Sequence, residues 1–191
     1  MITTTHALLN AAIFGRKNQP TYHLPLVLGA ILPDIPMFLY FFYMVFTRGD
    51  LRGPQMATMD EYHFRLLWVD CAHSIPAAVA GGLLCVWLKK KWGFYFFASM
   101  FFHDLQDIPV HAEYPHRHFL PLGDWAFHSP VSYADPRYFG NIMAPLEWIT
   151  VLVCISVLWR RGLNRWVQVG LLTLGVVQGL WLIYYYAGIR W

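Results

Sequence analysis

Apolar residues run along this chain in five long blocks separated by short polar connections: Leu24–Phe46, Leu67–Leu88, Trp92 to about Val110, Ile142–Trp159 and Trp166–Ala187. Each approaches or exceeds the ~20 residues that an α-helix needs to cross hydrocarbon, Ile142–Trp159 being the shortest. Ahead of them, Thr5 to Phe14 reads as a short apolar helix, with the preceding threonines offering caps and Gly15 ending it. At ~1.5 Å per residue it is too short to span and reaches back into the bilayer instead. The pattern predicts an all-α integral membrane protein: a bundle of about five transmembrane helices plus a short N-terminal membrane-embedded helix. With no internal repeat or linker, residues 1–191 read as a single domain.

The polar residues that interrupt these blocks carry the candidate chemistry. In Phe102-His103-Asp104-Leu105-Gln106-Asp107-Ile108-Pro109-Val110-His111, three metal-type ligands, His103, Asp107 and His111, stand four residues apart, so on a helix they share one face. Asp104 points about 100° away from that stripe and reads as a supporting or packing residue. Asp34 sits between two prolines in Leu32-Pro33-Asp34-Ile35-Pro36, where regular helix breaks in the middle of the first span. In the second span Asp70 and His73 lie at i, i+3: either both are ligands, or Asp70 orients His73, or the two satisfy each other. His6 on the short N-terminal helix reaches toward the same interior. His6, Asp34, His73, His103, Asp107 and His111 together offer the N/O ligand set that suits zinc, with iron or manganese as alternatives.

The second outward loop, about 111–141, is crowded with His, Pro, Asp and aromatic residues and reads as a lid over a site at the outer membrane face. His116, Arg117 and His118 in that loop, and Glu147 in the fourth span, are candidates to touch substrate or to support the ligands. The plainer readings are exposed histidines, a lipid-headgroup contact for Arg117 and a pairing of Glu147 with a loop residue. His23, His63 and His128 read as interface residues.

Composition agrees with a bilayer as solvent: 57% of residues are hydrophobic and 13% charged. Basic residues cluster at Arg16-Lys17, Lys89-Lys90-Lys91 and Arg160-Arg161 with Arg165, which places these connections on the cytoplasmic side. A net charge of +3 fits membrane anchoring and leaves no nucleic-acid footprint. The start of the chain lacks a basic n-region, so no cleavable signal is expected. Cys71, Cys85 and Cys154 lie in apolar segments and read as core residues.

On Thr5-His6, Leu32-Pro33-Asp34-Ile35, His73-Ser74 and the His103-x-x-x-Asp107 element, the chain resembles the membrane-bound metal-dependent hydrolase family, small membrane proteins distantly similar to zinc-dependent phospholipase C. The resemblance implies a metal-dependent hydrolase acting on a lipid, phosphoester or other ester, in a bacterial inner membrane with the site facing outward. Activation of a water by the metal, with Asp70 or a spare carboxylate as general base, would be its chemistry. Two other classes stay open: a non-catalytic subunit of a larger complex with a structural metal or polar cluster, and a haem or chlorophyll carrier. Membrane lipids are the expected partners, with other membrane subunits possible.

Overall fold

The computed structural model describes residues 1–48, 68–112, 115–133, 135–162 and 165–188, and among these the regular structure is all helical. His63 and most of the first outward loop lie outside the described residues. The helices are α1 (Thr3–Phe14), α2 (His23–Ile31), α3 (Ile35–Arg48), α4 (Ile75–Trp87), α5 (Lys91–Asp107), α6 (Gly140–Arg160) and α7 (Arg165–Gly188).

Among the described residues, three stretches are long and apolar enough to cross a membrane: His23–Thr47, Asp70–Trp87 and Gly140–Arg160. The five expected spans are therefore not all met. α5 has 17 residues and carries Asp104 and Asp107 within them, and the apolar stretch of α7 is Gln168–Leu180. α5 ends at Asp107 because Pro109 supplies no backbone donor, and Ile108–Val110 tightens into a 3-10 turn. His111 is thus not on a continued helical face, as its i+8 spacing predicts, but on the turn that follows.

The first span breaks where its prolines require it. α2 gives way to the Leu32–Asp34 turn before α3 resumes, so Asp34 stands at the break. The second span breaks too: Asp70–Ala72 forms one helical turn, His73 leaves helical geometry, and Ser74 caps α4 by accepting from the Ala77 N–H. The break falls after His73, whose N–H still donates to the Val69 carbonyl at 3.1 Å, so Asp70 and His73 belong to the same short helical stretch.

α5 packs against α2 and α4, and α1 lies against α2 and α6. The α2–α5 contact depends on Gly29, because a Cβ there would stand 2.1 Å from the Phe96 carbonyl oxygen. An apolar core of Leu8, Ala11, Val151, Cys154, Ile155, Leu158 and Leu171 joins α1, α6 and α7. Cys154 is buried there as expected, whereas Cys71 is exposed.

The threonines at the start of α1 tie helices together and do not cap. Its N-cap, Ile2, makes no side-chain cap bond. Instead the Thr3 hydroxyl donates to Asp34, the Thr4 hydroxyl donates to Gln178 Oε1, and Gln178 Nε2 donates to Thr5. At the other end of α1, Arg161 donates to the carbonyls of Ala11, Ala12 and Gly15, satisfying acceptors that the helix leaves open. Arg161 and Arg16 thereby lie at one end of the molecule. Tyr22 stacks on Tyr95, four residues beyond Lys91, which brings the lysine cluster toward the same end.

Candidate metal centre

Two histidines define the centre because their Nδ1 atoms are already committed. His73 Nδ1 lies 2.8 Å from the Val69 carbonyl oxygen, and His103 Nδ1 lies 2.7 Å from that of Ala30, beside the helix break. A carbonyl can only accept, so both Nδ1 atoms carry the proton, and each ring, when neutral, presents its lone pair at Nε2.

Those lone pairs face one another at 3.3 Å. Asp107 Oδ2 lies 3.2 Å from His103 Nε2 and 3.7 Å from His73 Nε2. Asp34 Oδ1 lies 3.6 Å from His73 Nε2 and 3.7 Å from His103 Nε2. His73, His103 and Asp107 are almost completely buried. Four acceptors gathered this closely repel unless a cation sits among them, a proton on one ring or a metal ion. The spacing fits the metal: a tetrahedron with bonds of ~2.0–2.1 Å has edges of about 3.3–3.4 Å. Asp34, His73, His103 and Asp107 therefore form a group that could hold one ion, with the imidazole and carboxylate donors that suit zinc, iron or manganese.

Asp107 also faces the other way. Its Oδ1 lies 3.0 Å from His6 Nε2, 3.6 Å from His111 Nδ1 and 2.6 Å from the α-amino group of Met1. His6 stacks on His103 with ring centroids 3.8 Å apart. Asp107, His111 and His116 make up a second group with donor atoms close enough to share an ion. His6 thus reaches the centre through Asp107 and stands outside both groups.

The loop histidines are buried, His116 5% and His118 2% exposed, contrary to the plainer reading of them as surface residues. His116 stacks on His73 at 3.9 Å, and its Nδ1 is 3.3 Å from Asp70 Oδ1. Asp70 Oδ2 is 3.7 Å from Arg117 Nε, so Asp70 pairs with two residues of the loop. His118 Nδ1 donates to the His73 carbonyl at 3.2 Å. Burial pushes the His118 imidazole down to about 4, with His73 nearby acting in the same direction, and burial holds His111 down at about 3. Both rings are neutral near pH 7 and keep their lone pairs. The loop is anchored over the centre by the Ile75 N–H donating to the His118 carbonyl, Ser74 to the Leu120 carbonyl and the Tyr133 N–H to the Val110 carbonyl.

Two predicted residues stand apart. Asp104 is fully buried, and neither carboxylate oxygen has a hydrogen-bond partner among the described residues. Glu147 Oε1 accepts from the Ile2 N–H at 2.7 Å and so fixes the start of α1.

A polar chain behind the centre went unread in the sequence. Ser99 donates to the Leu26 carbonyl, Asn10 Nδ2 donates to Ser99, Gln106 Nε2 donates to Asn10 Oδ1, and Gln106 Oε1 accepts from His6 Nδ1 at 2.8 Å. Its signal is helical spacing: Ser99, His103, Gln106 and Asp107 form one stripe on α5, and His6 and Asn10 are four apart on α1. The chain matches no protein-family model, no curated protein and no solved structure, so its site stands on geometry alone.

Proposed function

We propose that this protein is a membrane-embedded, metal-dependent hydrolase that cleaves a phosphoester or carboxylic ester of a lipid. The observation that carries the reading is the set of four acceptor atoms within 4.8 Å of one another, each carboxylate oxygen 3.2–3.7 Å from both Nε2 atoms, with both imidazoles held in the metal-ready tautomer by backbone carbonyls. The residues of the hydrolase-like motifs, Asp34, His73, His103 and Asp107, are the ones that converge, which supports the same chemistry. A divalent cation held by them supplies a Lewis acid and lowers the pKa of water, with zinc the first candidate.

The chain's own groups complete the machinery. His116 lines the cavity beside the centre, and Asp70 accepts from its Nδ1, the arrangement of a general base with its orienting carboxylate. Asp70 thereby acts through His116. Arg117, on the loop's rim and partly exposed, is placed to meet an anionic headgroup. A porphyrin is disfavoured, since two Nε2 atoms 3.3 Å apart with carboxylates around them suit a small, hard or borderline cation.

Depth supports an outward-facing site. Counting ~1.5 Å per residue from the basic end places Asp34 about 16 Å along α2, His103 about 18 Å and Asp107 about 24 Å along α5. With the basic end in the cytoplasm, as the positive-inside rule directs for a bacterial inner membrane, the centre lies in the outer half of a ~30 Å hydrocarbon layer.

The test is purification in detergent, metal analysis, and turnover of phospholipid and ester substrates by wild type beside His116→Gln. The proposal expects metal in both proteins and turnover in the wild type alone. Metal in both with no turnover of any such substrate would instead favour a structural metal in a non-catalytic subunit.

A further inference from the structure

A cavity of about 570 Å³ adjoins the centre, and its walls differ in kind. One wall is polar and carries Asp34, His73 and His116. Apolar lining comes from Phe38 on α3 with Leu174 and Val177 on α7. Exposure locates the mouth. His116 and His118 are nearly sealed beneath the loop, whereas Phe38 is 45%, Leu174 40% and Val177 57% exposed. Beyond that mouth both helices keep presenting apolar side chains, Leu39 and Phe42 on α3, Val176 and Leu180 on α7, each more than half exposed.

The mouth also lies at the depth of the centre. Phe38 falls about 22 Å along α2 and α3, and Val177 about 18 Å along α7, within the hydrocarbon and level with His103 and Asp107. A cavity roofed on the loop side and walled by apolar residues at this depth opens sideways into lipid.

We propose that the ligand enters laterally from the bilayer: a lipid acyl chain lies in the cleft between α3 and α7, against Phe38, Leu174 and Val177, while its polar end meets Asp34, His73 and His116. The cleft selects for long-chain amphiphiles through the apolar side chains that line it. This rests on the hydrolase reading for the chemistry at the polar end and on the cavity alone for the route.

The experiment uses the full chain in vesicles of phosphatidylethanolamine and phosphatidylglycerol doped with a phosphatidylcholine whose acyl chain bears a diazirine. After irradiation, adducts are mapped by mass spectrometry in wild type and Val177→Trp, which fills the mouth at a lipid-exposed position and spares the centre. Adducts are expected to concentrate at 37–38 and 174–178 over Leu83 and Val153, which are both more than half exposed. In Val177→Trp they fall about tenfold, the effect of 1.4 kcal/mol of exclusion, with metal content unchanged. Labelling at the mouth no greater than at Leu83 and Val153, or unaffected by Val177→Trp, would overturn the proposal. Enriched labelling at the mouth without turnover of any ester would leave the route standing and sink the hydrolase reading.

Discussion

Replacing Asp34 by Asn separates the metal reading from a purely hydrogen-bonded cluster, because only a metal ligand makes the response to zinc depend on this carboxylate. The Thr3 hydroxyl donates to Asp34 Oδ2, so an Asn places its carbonyl there and turns its NH2 toward His73 and His103, where Oδ1 stands 3.6 and 3.7 Å from their Nε2 atoms. The metal-free protein loses one of two carboxylates whose oxygens lie within 4.8 Å, and with it the acceptor that a proton on either ring would face. Metal binding loses an anionic ligand, which exceeds the 10–100-fold effect typical of residues one shell further out.

Thermal unfolding in detergent, with chelator or with zinc at about one hundred times the wild-type Kd, reads both effects. Zinc at that level stabilises the wild type by about 2.7 kcal/mol, or roughly 5–11 °C for a chain of this size. With affinity one hundredfold weaker, Asp34→Asn gains about 0.4 kcal/mol, close to 1 °C. A zinc shift in Asp34→Asn equal to the wild type's would refute the reasoning.

Other expectations follow from the same geometry. His103→Ala loses metal on purification while His63→Ala retains it, and equal metal content in the two by elemental analysis would show the centre to be misplaced. Gly29→Ala forces α2 away from Phe96 and costs at least about 3 kcal/mol, read as a melting point several degrees lower even in chelator; an unchanged midpoint would contradict the close contact. Because burial lowers His118 from the usual 6.5 to about 4, the folded state binds fewer protons than the unfolded one between those values. Its contribution is complete above about pH 6.5 and is lost as pH falls toward 4, about 3 kcal/mol in all. Chelated His118→Gln should therefore lose less stability than chelated wild type over that interval, and parallel pH profiles would count against the burial argument.

Much of the centre was legible before folding because its residues are conspicuous where they stand. A histidine or aspartate in an apolar block has few bland explanations, and Asp34, His73, His103 and Asp107 converge. The prolines around Asp34 and after Asp107 mark breaks that the chain makes. What periodicity misjudges lies at the second of those breaks: the i+8 spacing puts His111 on a continued helix, and a turn ends that helix first. The threonines of α1 looked like caps since local rules favour them there, yet Asp34 and Gln178, distant in sequence, took their hydroxyls. The burial of His116 and His118 depends on how the loop folds back over α4, which no local pattern encodes.

X-ray absorption at the metal edge of the purified protein tests the centre most directly. Two imidazole nitrogens and two carboxylate oxygens at ~2.0–2.1 Å around about one equivalent of zinc, iron or manganese are expected from His73, His103, Asp34 and Asp107. No bound metal, or a first shell without imidazole scattering, would contradict it.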